Sequence, residues 1–185
     1  GRDILSRLIY GGRSVLVAAI TPILGAGVVG LVIGMLAGFF PGKLSELVMR
    51  LLDILFAFPM VLLAIAVSTI IGAGIGTIMI SVFIMNIPYM SRIVYNTTVA
   101  ERTADYIEAA RALGASRLEI VFRELLPNVA SSLIVYATTL TGIVIVFASG
   151  LSFLGIGIQP PHADWGKMTA DGMAVLTQGG AHVAT

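Results

Sequence analysis

Between Arg13 and Lys43 no residue carries a charge, and the same holds from Ile54 to Ser91 and from Leu125 to Ala163. A helix needs roughly 20 apolar residues to cross the hydrocarbon core of a bilayer, so each run is long enough to contribute at least one crossing. Composition points the same way, with 57% hydrophobic residues, 11% charged residues and a mean hydropathy of +0.99. Soluble domains carry about 25% charged residues, and a water-facing surface cannot be built from so few. The predicted fold class is all-α: a polytopic transmembrane helical bundle forming a single domain over residues 1–185.

The first span is expected near 15–40. The second run holds parts of two helices broken by Gly72-Ala-Gly-Ile-Gly76, which predicts spans near 47–71 and 77–97 joined by a tight glycine turn. The third run predicts a span near 130–150, followed by a Gly- and Pro-rich tail that begins Gly155-Ile-Gly-Ile-Gln-Pro-Pro161. Four spans are expected in all. Pro59 and Pro88 fall inside spans, where each removes a backbone hydrogen bond and is predicted to kink its helix. Ahead of the first span, Arg2, Asp3, Ser6 and Arg7 alternate with apolar pairs, a spacing that suits a short amphipathic helix at a membrane surface.

Cytoplasmic loops carry an excess of Lys and Arg. If loop 98–129 faces the cytoplasm, that side holds Lys43, Arg50, Arg92, Arg102, Arg111, Arg117 and Arg123, seven in all. The outer side then holds Arg2, Arg7, Arg13 and Lys167, four in all, which favours this orientation.

Within the spans, Gly30, Gly34 and Gly38 recur on one helix face, where small residues let another helix approach closely. Asn86 is a candidate for a polar path, or for bonding backbone freed by Pro88 or reaching a neighbouring helix. Asp53 lies one turn from Arg50, and pairing between them is the expected arrangement. Trp165 suits an anchoring role at the outer interface.

The segment 103–127 is water-compatible and reads as two short helices. Asp105 is placed to cap the first, and Gly114 stands where a helix end calls for positive φ. Ser116 is placed to cap the second, with Glu119 as its capping-box partner, and Pro127 is expected to end it. Glu108–Arg111 and Glu119–Arg123 are expected helical ion pairs contributing only about 0.2–0.5 kcal/mol each. Ile107, Ala110, Leu113, Leu118, Val121 and Phe122 remain as an apolar surface with no span to cover. A loop of that kind is expected to meet a soluble partner.

Glu108-Ala109-Ala110-x3-Gly114 followed by Leu126-Pro127 resembles the cytoplasmic signature loop of permease subunits in ATP-binding-cassette importers. The segments from Gly1 to Gly11, from Met49 to Pro59 and from Leu151 to Gly166 look like the dipeptide/oligopeptide/nickel branch, and in particular its second permease. One departure from the signature is Glu124, which stands where an aliphatic residue is usual; Leu125 is the nearest apolar substitute. The resemblance also implies one further span before Gly1-Arg-Asp and one after Trp165-Gly166, so the chain reads as a fragment.

By that resemblance the chain is a multi-pass inner-membrane permease subunit of a prokaryote. Its partners would be a homologous permease subunit, two ATP-binding subunits, an external solute-binding protein and the lipid bilayer, with no nucleic acid. The loop would dock helix-in-groove on an ATPase subunit, through Glu108, Ala109, Ala110, Arg111, Leu113, Gly114, Ala115, Leu118 and Pro127. Di- or oligopeptides would be the cargo, with glutathione or a nickel chelate as alternatives.

No catalytic or metal residues are expected. A phosphate loop needs G-x4-G-K-[ST], but the two lysines, Lys43 and Lys167, have Ala37 and Pro161 in place of the first glycine and are followed by Leu44 and Met168. ATP and its Mg²⁺ therefore belong on partner subunits. His162 and Asp164 have no second histidine nearby, His182 lying far along the tail. Two rival classes remain: a secondary transporter, which would want ionisable groups inside its spans, and a membrane scaffold whose loop recruits a soluble protein.

Overall fold

A computed structural model of the chain describes residues 3–176, and every regular element among them is helical. In chain order these are α1 (Ile4–Phe39), α2 (Lys43–Phe56), α3 (Met60–Ile71), α4 (Ile75–Glu101), α5 (Asp105–Ala112), the short turn α6 (Arg117–Glu119), a π-helical turn (Ile120–Leu125), α7 (Leu126–Phe153) and α8 (Trp165–Leu176). Three helical stretches are long and apolar enough to cross a membrane, Ile4–Phe39, Ile75–Glu101 and Arg117–Phe153; α2 and α3 make a fourth if that bent pair counts as one span. Large apolar side chains such as Val28, Ile70, Val135 and Val146 stand more than half exposed, which water would not tolerate over so wide a surface.

Several expectations are revised. α1 begins at Ile4 and runs unbroken through Pro22, so the amphipathic lead-in is part of the same rod. Its 36 residues measure roughly 54 Å, well beyond the core of a bilayer. α2 already starts at Lys43, ahead of the span expected near 47–71. At Pro59 the bend is sharper than a kink: the proline precedes α3 in an extended conformation, and α2 and α3 are bent by 84° at the break. Pro88 lies inside a span as expected, buried within α4, which runs on past it. The tail after Gly155 contains α8, hidden in the sequence because Lys167, Asp171 and Gly172 interrupt its apolar pattern.

The chain forms two compact units. The first comprises the described residues of 1–23, 59–83 and 140–185. Here the Trp165 indole lies against Gly11 and Gly12 of α1, where an added β-carbon would come within 3.1 and 3.0 Å of the ring. Its N–H donates to the Leu8 carbonyl at 2.9 Å, which fixes the ring against α1. Asp164, itself buried, accepts from the Lys167 N–H at 3.0 Å and caps α8. Gly166 sits so close to the Ser149 carbonyl that no side chain would fit.

The second unit comprises 24–58 and 84–139. Within it, Gly30, Gly34 and Gly38 line α1 where α4 approaches. A β-carbon on Gly30 would lie 2.5 Å from Met90 Cβ, and one on Gly38 would lie 2.8 Å from Thr98 Cβ. Backbones this close gain dispersion and Cα–H contacts that larger side chains would prevent. Ser91 and Thr98 face this seam fully buried, and their hydroxyls have no partner among the described residues. Their small size is what the seam uses.

The C-terminal end of α1 leaves carbonyls that its own helix cannot satisfy. Phe40 N–H reaches the Leu36 carbonyl at 3.0 Å, the buried Ser45 hydroxyl donates to Ala37 at 2.7 Å, and Arg102 donates to Gly38 at 3.1 Å. The arginine also places a cation at the negative end of the helix dipole. Asp53 pairs with Arg92 of α4 rather than with Arg50. The Arg92 guanidinium stands 5.5 Å from the centre of the Phe56 ring, which in turn meets Tyr89 at 4.3 Å.

Candidate functional site

The segment between α4 and α7 folds on local rules. Ala104, in an extended conformation, is the residue preceding α5, and Asp105 is the first helical residue rather than the cap. Its carboxylate acts through the helix dipole instead of through a capping hydrogen bond. At the other end Gly114 adopts φ +84°. Gly114 N–H bonds the Arg111 carbonyl and Ala115 N–H bonds the Ala110 carbonyl, each at 3.0 Å. That is the two-bond Schellman closure of a helix. The Ser116 hydroxyl then accepts from Glu119 N–H at 3.2 Å and starts the second helix.

Pro127 does not end that helix. It lies in the first turn of α7, immediately after the π-helical turn, where Leu126 N–H reaches back five residues to the Val121 carbonyl. A proline ring collides with the carbonyl four residues back and offers no N–H to it. The widened turn just before Pro127 supplies the slack, and the stretch from Arg117 to Phe153 continues as one rod.

The apolar residues of the loop divide into two sets. Ile107, Ile120, Val121 and Leu125 are buried and hold α5 against the turn that follows. Leu113 (89% exposed), Leu118 and Phe122 point outward. Ile107 and Val121 are thus internal, contrary to their expected place on a docking surface, because two short helices first need a core of their own. Around the outward set, Ala110, Leu113, Gly114, Ala115, Glu119 and Arg123 line a groove of about 360 Å³.

Glu108, Ala109 and Arg111 are exposed on α5, while Ala110 and Ala115 are half-buried. Arg111 reaches the Arg102 carbonyl at 3.5 Å instead of pairing with Glu108, whereas Arg123 and Glu119 do pair, at 3.7 Å. Asn86 is buried on α4 and is not without an interaction partner. His162 lies on an exposed turn, and His182 is outside the described residues. Among the described residues no three acidic or histidine side chains converge as metal ligands would.

Sequence reasoning overlooked a polar junction at the base of the loop. The Tyr106 hydroxyl donates to Glu101 Oε2 at 2.7 Å and accepts from Asn128 Nδ2 at 3.2 Å, while Asn128 also donates to the Glu124 carbonyl at 3.0 Å. Burial, and then the Glu101 carboxylate, push the Tyr106 phenol above its ordinary range; the Asn128 bond opposes them. The only sequence signal was a tyrosine beside Ile107 on the inner side of an otherwise water-compatible helix.

Residues 30–185 match the family described as the binding-protein-dependent transport system inner membrane component. The glutathione transport system permease protein GsiD of Pectobacterium atrosepticum is 43% identical over 168 residues, covering 91% of this chain and 56% of that protein. The di/tripeptide transport system permease protein DppC of Pseudomonas aeruginosa is 40% identical over 170 residues, covering 92% and 56%. The chain therefore spans a little over half the length of these relatives. An inward-facing structure of the MetNI methionine ABC transporter superposes with a TM-score of 0.75 at 20% identity, covering 100% of this chain and 94% of that one, a likeness of fold. With three helical stretches apolar enough to cross a membrane, a fourth if the bent α2–α3 pair counts as one span, an Ala-rich loop closed by Gly114 and this match over most of its length, the chain belongs to the family of binding-protein-dependent transport system inner membrane components.

Proposed function

We propose that the chain is part of the permease subunit of an ATP-driven importer of short peptides, and that loop 103–127 couples it to separate ATPase subunits. The observation that carries this reading is the outward-facing set Leu113, Leu118 and Phe122. These apolar side chains are displayed on a helical pair that already has its own core, between two candidate spans. Exposed apolar groups on a folded handle serve a partner better than they serve the loop.

The loop would lie on the cytoplasmic side, as the seven-to-four distribution of Lys and Arg favours. A homologous permease subunit would complete the path, and an external solute-binding protein would deliver cargo. ATP and Mg²⁺ would bind the ATPase subunits. The relatives, glutathione and di/tripeptide permeases, support a peptide-sized cargo and favour glutathione and dipeptides over a nickel chelate.

The test is uptake by the complete transporter reconstituted in vesicles with its ATPase and binding proteins. Labelled di- and tripeptides, glutathione included, are expected to enter with ATP, and Gly114→Pro or Glu108→Arg to abolish entry while the binding protein still holds its ligand. Full uptake by either variant would refute the coupling role.

A further inference from the structure

Among the described residues, the phenol of Tyr106 is the one side chain of α5 that bonds both helices flanking the loop. Glu101, which accepts a hydrogen bond from it at 2.7 Å, is the last residue of α4, and Asn128, which donates to it at 3.2 Å, stands in the first turn of α7. Asn128 is itself fixed to the Glu124 carbonyl at the end of the π-helical turn. The oxygen of one tyrosine thus closes a chain of side-chain bonds from α4 through α5 to α7.

The neighbouring contacts leave that chain as the loop's polar attachment on this side. Ile107, next along α5, is fully buried and supplies non-directional packing. Arg111 reaches the Arg102 carbonyl at the loose distance of 3.5 Å. Dispersion tolerates a small sliding of α5, whereas hydrogen bonds weaken steeply with misalignment. A displacement of α5 transmitted through Tyr106 would therefore move the ends of α4 and α7 together.

The geometry points to Tyr106 as a positioning residue that transmits movement of α5 to both flanking helices, with Glu101 and Asn128 as its two anchors. This rests on the importer reading above, in which a partner moves α5. Tyr106 itself does not belong to the outward set that would touch the partner, since its hydroxyl is spent on the two helices.

The decisive variant is Tyr106→Phe, which keeps the ring and removes the bonding oxygen. In the complete transporter reconstituted in vesicles, it should retain ATPase subunits and basal ATP hydrolysis. Uptake per ATP hydrolysed should fall by about fivefold or more, the scale of an ordinary coupling free energy. Glu101→Gln, whose amide oxygen still accepts from the phenol, should stay near the unsubstituted ratio, whereas Glu101→Leu should resemble Tyr106→Phe. An unchanged uptake-to-ATP ratio in Tyr106→Phe would overturn the proposal. Loss of the ATPase subunits from that variant would overturn it too, by assigning the phenol to the folding of the loop. If the unsubstituted protein binds no ATPase subunit, it is the importer reading that fails, and the transmission role goes with it.

Discussion

Gly34 of α1 and Ser91 of α4 bring two backbones so close that a β-carbon on the glycine would overlap the serine carbonyl oxygen. The neighbouring atoms are also near, with Val94 Cβ at 2.7 Å from that hypothetical carbon. Gly34→Ala should therefore force the helices apart and cost about 1–3 kcal/mol. Gly27, on the same helix, meets nothing within 4 Å, so Gly27→Ala should be neutral or stabilising by about 0.5–1 kcal/mol. Thermal unfolding in detergent separates the two; equal effects would mean that the seam does not hold α1 to α4.

The Asp53–Arg92 pair makes a second prediction. Both side chains are about half exposed, so a double-mutant cycle with Asp53→Asn and Arg92→Gln should return a coupling of about 1 kcal/mol at most. Arg50→Gln should show no coupling to Asp53→Asn. A cycle in which Arg50 rather than Arg92 couples would restore the pairing suggested by sequence distance.

At Gly114 an added β-carbon has open space, but φ is +84°. Gly114→Ala should then destabilise only through backbone conformation, by about 1–2 kcal/mol, with the loop still formed. Gly114→Asn should cost less, because asparagine visits the left-handed region more readily. Hydrogen exchange at Ala115, whose N–H closes the helix on the Ala110 carbonyl, reports both.

Leu113→Asp and Leu118→Asp alter side chains that are 89% and 65% exposed. Folding should be unaffected, since neither contributes to the loop's core. If these residues fill a partner groove, each should weaken retention of the ATPase subunits by about 2 kcal/mol, roughly thirtyfold. Undiminished retention on affinity purification would place the contact elsewhere.

The Tyr106 phenol supplies a pH dependence. Its value in the folded chain lies above the ordinary 10.0, chiefly through burial and then through Glu101, with the Glu124 carboxylate adding to the effect and Asn128 opposing it. A raised folded value means that the stabilisation is fully present below pH 10 and is lost as pH rises through the folded value. Ultraviolet titration of the tyrosinate, taken as the difference between the unsubstituted protein and Tyr106→Phe, should place this phenol above 10.0.

Features governed by a few adjacent residues were legible beforehand. The closure at Gly114 and the Ser116 cap follow from backbone sterics and from a hydroxyl beside unsatisfied amides, both of which act within one helical turn. The glycine spacing on α1 was visible for the same reason, because helical periodicity alone puts Gly30, Gly34 and Gly38 on one face. Local rules overreached where the three-dimensional neighbour changed the outcome. Pro127 was expected to stop a helix, and a widened turn before it lets the helix continue.

Hydropathy and charge alone established an all-helical membrane chain with a water-compatible, two-helix insertion, because solvent preference is additive along a sequence. Partner choice was decided by tertiary structure. Arg50 stands three residues from Asp53, yet Arg92, thirty-nine away, makes the pair. Ile107 and Val121 look as free as Leu113 until the two short helices fold onto each other. Tyr106 acquires its role only when the ends of α4 and α7 meet around it. Directional and short-range forces depend on which atoms become neighbours, and that is a property of the folded chain.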